Sequence, residues 1–158
     1  MKIALISDTH DHLEHVAQAL KIFSQARAEA LIHAGDFASP FTAEKIATFD
    51  GPIYAVYGNC DGDHANLSRF IPNIAPQPSA FELAGRHFVL AHNQYAIPAG
   101  LIPQADVIVV GHAHMPQHSR LGQALLVNPG ECCARVTGQA TVALLDSEDL
   151  SVEIVTLP

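Results

Sequence analysis

The chain reads as an α/β protein with two β-sheets packed face to face and helices outside. Three observations predict this. Apolar runs of about three to five residues, bounded by Gly or polar residues, recur along the chain and suit buried strands. In the first half they alternate with helical patterns, which implies βαβ units, a parallel sheet and right-handed crossovers. In the second half strand-like runs follow one another, so they require a sheet of their own.

Ile3 to Ile6 is the first strand. Asp11 then offers an N-cap with Glu14 three residues on, and Leu13, Val16, Ala17, Leu20 and Phe23 keep helical spacing. Ala30 to Ile32 is the second strand. Ser39-Pro40 opens a second helix, expected to reach Phe49 before Gly51-Pro52. Ile53 to Tyr57 is the third strand, and Asp63 caps a short helix ending near Pro72. Residues 72–79 carry three Pro and read as a surface connection. Phe81 to Leu83 and His87 to Ala91 flank Ala84-Gly85-Arg86 as a hairpin. Ile97 to Gln104 reads as a short helix or turn, and Val107 to Val110 as a buried strand. Gln117 to Leu121, Ala124 to Val127, and Thr141 to Leu145 paired with Val152 to Thr156 complete the strands.

A chain of 158 residues, 49% hydrophobic and 15% charged, fits one domain, residues 1–158, with a sizeable core. No apolar run approaches the roughly 20 residues of a membrane span, and the first is too short for a signal peptide. A cytoplasmic location is the expectation. The net charge is −8, and the eight Lys and Arg are scattered singly. An extended nucleic-acid surface needs clustered cations and is not expected. Cys60, Cys132 and Cys133 form an odd set without C-x-x-C spacing, so all three are read as reduced thiols. A homodimer is left open on the apolar composition alone.

Chemistry gathers at the ends of the apolar runs. The first strand runs into Asp8-Thr9-His10, the second into Gly35-Asp36 and the third into Gly58-Asn59-Cys60-Asp61. The run from Phe88 ends in His92, and the run from Val107 ends in Gly111-His112-Ala113-His114. Open α/β sheets build sites at the carboxyl ends of strands. Singly, the motifs at Asp8, Asp36, Asn59 and His92 read as ordinary turns or a core histidine, whereas the His112 and His114 pair is the more specific signal. Asp8 with His10, and His112 with His114, stand two residues apart, which in an extended chain puts both side chains on one side. Five such endings point to one cluster of Asp, Asn and His able to bind metal.

In that order and number, these motifs resemble the calcineurin-like metallophosphoesterases. Asp8-Thr9-His10, Gly35-Asp36, Gly58-Asn59-Cys60-Asp61, His92, Gly111-His112-Ala113-His114 and the later Asn128-Pro129-Gly130 carry the resemblance, which covers nearly the whole chain. It is nearest to the small phosphodiesterases of that family with G-N-C-D in the third motif. The resemblance implies a four-layer αββα sandwich of two mixed sheets flanked by helices. It implies two divalent transition-metal ions per chain, Mn²⁺ first, with Ni²⁺, Fe or Zn²⁺ as alternatives. Asp8, His10, Asp36 and His114 would hold one ion, and Asp36, Asn59, His92 and His112 the other, with Asp36 bridging. This mixed oxygen and nitrogen set suits such metals better than Mg²⁺ or Ca²⁺. The implied activity is hydrolysis of small or generic phosphodiesters by a hydroxide bridging the metals, with Asp36, Asn59 and His92 as catalytic residues. The alternative is a catalytically weak or inactive metal-binding scaffold of the same fold.

The chain departs from the family pattern in three places. Cys60 stands where many relatives carry His, and Gln94 stands where many complete H-G-H. Neither supplies a good acid for a leaving alkoxide. His12 and His64 are nearby substitutes, expected to be exposed. Glu131-Cys132-Cys133 replaces a frequent Ser, and the two thiols are read as packing residues. Arg135 is either a phosphate contact or a surface charge. His33, His87 and His118 are expected to be structural, and His15 to be exposed on the first helix.

Overall fold

The structure, a computed structural model, describes residues 1–158. One sheet has the order β11-β10-β1-β2-β3-β4. Its parallel part is β1 (Lys2–Ile6), β2 (Ala30–His33), β3 (Ile53–Val56) and β4 (Ile74–Ala75). The antiparallel pair β10 (Thr141–Asp146) and β11 (Val152–Thr156) extends it beside β1. The second sheet has the order β5-β6-β7-β9-β8. Here β6 (Arg86–Leu90), β7 (Val107–Val109) and β9 (Ala124–Asn128) run parallel. The strands β5 (Ser79–Leu83) and β8 (Gln117–Leu121) close its edges in antiparallel pairing.

Alternation along each strand builds the layers. Ile3 and Leu5 face the second sheet and pack with Phe88, Leu90, Val107, Val109 and Val127. Ala4 and Ile6 face the other way, onto the helices, with Val16, Phe23, Ile46 and Leu67. In β6, Phe88 and Leu90 point to the inter-sheet core, while Val89 joins Ile97, Ile108 and Leu126 on the far side. Each buried Leu, Ile or Phe contributes about 1.5–3 kcal/mol relative to exposure. The expected two-sheet sandwich flanked by helices is therefore present. The layer outside the second sheet is thin: two 3₁₀ turns, Gln94–Ala96 and Ile102–Gln104, replace full helices. They lie within or beside the stretch read as a short helix or turn.

The helices α1 (Leu13–Gln25), α2 (Pro40–Ile46) and α3 (His64–Phe70) cover the first sheet. Asp63 caps α3, as its position predicts, by accepting from Asn66 N. Three local expectations are corrected. His12, not Asp11, caps α1 by accepting from His15 N, because the Asp11 carboxylate is taken by the Ser39 and Thr42 hydroxyls. The helix α2 ends at Ile46, and residues 47–49 continue as turns rather than helix. Residues 74–75, read as part of a surface connection, form the edge strand β4. Two residues between Pro72 and Pro76 are too few to show any alternation.

No helix is long and apolar enough to cross a membrane.

Candidate metal centre

The carboxyl ends of β1, β2 and β3 meet those of β6, β7 and β9 along one edge of the sandwich. The loops there are tied to one another by main chain. Asp8 N donates to Gly35 O, and Thr9 N and His10 N donate to Asp36 O. Gly111 N donates to His92 O, and Cys132 N and Cys133 N donate to Ser7 O and Asp8 O. Residues far apart in sequence are thereby fixed against each other before any side chain is considered.

Asp8, Asp36 and His92 are buried, and their ligand atoms lie within 4.8 Å of one another. Asp36 Oδ1 accepts from Cys60 N at 2.8 Å. Its Oδ2 is left facing His10 Nε2 at 3.4 Å and His92 Nε2 at 3.5 Å. Asp8 Oδ2 accepts from the Ser7 hydroxyl and from His112 N. Asp8 Oδ1 has no hydrogen-bond partner, although it is buried 3.4 Å from His114 Nε2. An unpaired buried acceptor costs about 1–3 kcal/mol, and more when charged. Burial pushes the Asp8 carboxyl above its ordinary value, against the Ser7 hydrogen bond and the nearby His92 and His114.

The imidazoles are oriented from behind. His92 Nδ1 donates to the Ala34 carbonyl at 2.8 Å, and His114 Nδ1 donates to the Glu131 carboxylate at 2.8 Å. In the neutral ring this leaves Nε2 with a lone pair directed at the cluster. Asn59 Oδ1 lies 2.9 Å from His92 Nε2, so two lone-pair atoms face each other. A cation or an added proton satisfies both. Together with the unpaired Asp8 oxygen and the mixed donor set, this arrangement fits divalent transition metal.

Backbone conformation carries the same message. Asp8, His10, Asp36, His112 and His114 have φ of 51°, 39°, 60°, 64° and 60°. Such values are uncommon outside Gly and cost about 1–3 kcal/mol each where the surroundings enforce them. They also change how the pairs meet, because the strand alternation that placed Asp8 with His10 does not apply to left-handed residues. Both still reach the cluster, through a tight turn rather than an extended segment.

Six of the seven expected ligands converge: Asp8, His10, Asp36, Asn59, His92 and His114. His112 stands apart. Its ring lies edge-on to His92 at 5.0 Å, it is exposed, and it joins no group of three potential ligands. Two thiols also approach the cluster. Cys60 Sγ lies within 4.8 Å of ligand atoms of His10 and Asp36, and Cys133 Sγ within 4.8 Å of His10 and His114. Partial burial and the Asp36 carboxylate push the Cys60 thiol up. Burial pushes the Cys133 thiol up to about 12. All three thiols are free, and Cys132 packs in the helix-side core as expected.

Of the other histidines, some match expectation and some do not. His33 is structural, as expected: it is buried, accepts from Gly35 N, meets the Thr9 hydroxyl and stacks on Phe37. His87 and His118 are not core residues but exposed ones, on β6 and on the edge strand β8. His15 is half-buried rather than exposed, with Nδ1 on the Cys132 carbonyl. His12 is half-buried and committed to its cap, while His64 is exposed and stacked on Tyr57. Gln94 is exposed in a 3₁₀ turn.

Two residues that sequence reasoning left without a role organise the site. The Asp61 carboxylate accepts from Asp36 N, Gly58 N and Ala38 N, closing the second loop onto the third. Glu131 is fully buried and holds His114. Asp61 stood in a quoted motif, and Glu131 stood at a noted departure; only their burial reveals what they do.

The comparisons with known proteins agree. A model of the calcineurin-like phosphoesterase superfamily domain matches residues 1–150. Phosphodiesterase MJ0936 of Methanocaldococcus jannaschii is 35% identical over 94% of this chain and 94% of its own length. Phosphodiesterase YfcE of Escherichia coli is 29% identical over 96% of this chain and 91% of its own. The solved structure of an archaeal phosphodiesterase matches with a TM-score of 0.90 and 32% identity, covering 99% of this chain and all of that one. With strand order, converging ligands and whole-length similarity in agreement, the chain belongs to the calcineurin-like phosphoesterase superfamily.

Proposed function

We propose that the protein is a metal-dependent phosphodiesterase acting on small phosphodiesters at this centre. The observation that carries the reading is Asp36. Its free Oδ2 lies between His10 of one ligand group and His92 of the other. That position suits a carboxylate shared by two ions. Asp8, His10, Asp36 and His114 would hold one, and Asp36, Asn59, His92 and His112 the other. His112 must swing toward the cluster to join. The names of the two phosphodiesterase relatives support the same activity.

Bound divalent cations supply Lewis acidity toward phosphoryl oxygens and lower the pKa of water between them. The mixed oxygen and nitrogen donors suit Mn²⁺, Ni²⁺, Fe or Zn²⁺, and Mn²⁺ is the ion we put first. The chain's own work is to fix the geometry. His92 and His114 present Nε2 lone pairs because Ala34 and Glu131 hold their Nδ1 protons. Asp36 is held by Cys60 N and, through its own N–H, by Asp61. The overall reaction forms an oxygen–phosphorus bond from water and breaks the bond to the leaving oxygen.

The leaving oxygen must then be protonated or depart as a stable anion. The Cys60 thiol is a poorer proton donor than the His that many relatives carry there, and Gln94 has no proton to give. Esters with good leaving groups should therefore react best. The test uses bis-p-nitrophenyl phosphate with protein stripped by chelator and reloaded with Mn²⁺. Turnover restored by the metal supports the reading. Two ions bound per chain without turnover would turn the assignment to a scaffold.

A further inference from the structure

We propose that residues 131–137 form an anion arm, in which Arg135 grips a phosphoryl oxygen of the ligand and Glu131 positions both Arg135 and His114. The inference rests on the phosphodiesterase reading for the identity of the ligand, but its geometry is independent of turnover.

Glu131 is fully buried, yet it bears a carboxylate that no cationic side chain neutralises directly. Instead the chain closes around it. Its Oε2 accepts from His114 Nδ1, from Arg135 N and from the Cys133 thiol. Its Oε1 accepts from Thr137 N and the Thr137 hydroxyl, and Val136 N donates to both oxygens. A loop that only had to turn would not need a buried charge to shape it.

The loop has a direction. Its start is pinned to the Asp8 backbone through Cys133 N. After the turn around Glu131, Arg135 reaches back and donates from Nη2 to the His10 carbonyl at 3.0 Å. Of the eight Lys and Arg, only Arg135 has a side chain bonded to an expected metal ligand. Arg has five N–H donors in a rigid fork that matches phosphate. One is used here, and the others make no bond within the chain. In a molecule of net charge −8 this is an unusual place for an exposed guanidinium, unless it answers an anion.

The test is made on the full chain loaded with Mn²⁺, with inorganic phosphate as probe and calorimetry as readout. Arg135→Ala should weaken phosphate binding about tenfold or more while Mn²⁺ stoichiometry stays the same. In turnover assays it should raise KM far more than it lowers kcat. Glu131→Gln should weaken Mn²⁺ at one of the two sites by roughly 10–100-fold, the cost typical of losing a partner behind a metal-ligating His. At saturating Mn²⁺ it should also weaken phosphate, and add little to Arg135→Ala in the double variant. Unchanged phosphate affinity in Arg135→Ala would overturn the arm and leave Arg135 as a strut for the loop. Full additivity in the double variant would overturn the positioning role of Glu131. Should Glu131→Gln fail to fold by circular dichroism, Arg135→Ala still decides the anion contact. A wild type that binds Mn²⁺ and phosphate but hydrolyses no diester would sink the phosphodiesterase reading alone.

Discussion

At the ends of β1 to β3 stand both carboxylates of the cluster, locked by main chain, beside His10 and Asn59, whereas the ends of β6 and β7 supply imidazoles held one ring at a time. Asp36 illustrates the first kind. Both its own N–H and one side-chain oxygen are bonded, through Asp61 and Cys60. His92 and His114 illustrate the second, each steered by a single Nδ1 bond. His112 has no ring partner among the hydrogen bonds at all. The first sheet therefore fixes where charge sits. The second orients its imidazoles, one bond to each ring.

The largest effect expected from this contrast is at Asp36. Asp36→Asn keeps the volume but removes the shared charge, so activity should fall by well over about 100-fold, beyond the usual cost of a single outer partner. Metal content measured by mass spectrometry should fall at both sites. Normal turnover would show that no ion depends on Asp36.

On the second sheet, His92→Ala should lower metal affinity more than His112→Ala. The former removes a buried, oriented ring and the latter an exposed one that must move to bind. A difference of about tenfold is expected. Equal losses by calorimetry would mean that His112 is already a full partner.

Gly58→Ala probes the rigidity of the first sheet's loops. A methyl group there would land on the Asp36 carboxylate and main-chain N. Overpacking costs about 1–3 kcal/mol, and urea midpoints should record it. A neutral result would show that the Asp36 loop can yield.

The smallest change sharpens the chemistry rather than the frame. Cys60→His should raise turnover several-fold for esters with poor leaving groups and little for p-nitrophenyl esters. An equal effect on both substrates would point away from a missing acid.

Much of the fold was legible in the residues. Short apolar runs marked the inner strands β1, β2, β7 and β9, because a strand buried on both faces has little room for polar residues. The two-residue β4 escaped, and so did the true cap of α1, where Asp11 and His12 compete and only the distant Ser39 and Thr42 decide. Six residues of the cluster were legible because each follows a strand. The left-handed φ of Asp8, His10, Asp36 and His114, at 51°, 39°, 60° and 60°, was not, since His and Asp carry no local requirement for it. The roles of Asp61 and Glu131 were equally hidden, as a carboxylate in a loop usually faces water.

The sequence by itself determined the sheets, the family and the set of residues offered to metal, because these follow from local pattern and residue chemistry. Only the tertiary structure decided which atoms meet. It left Asp8 Oδ1 unpaired, turned Asp36 Oδ2 between two imidazoles, held His112 aside and wrapped the chain around Glu131. The physical reason is that the contacts at Asp8, Asp36 and His112 join segments far apart in the chain, and the loop around Glu131 meets the cluster only through the distant His114. Their geometry is set by how two sheets pack, which no local run of residues encodes.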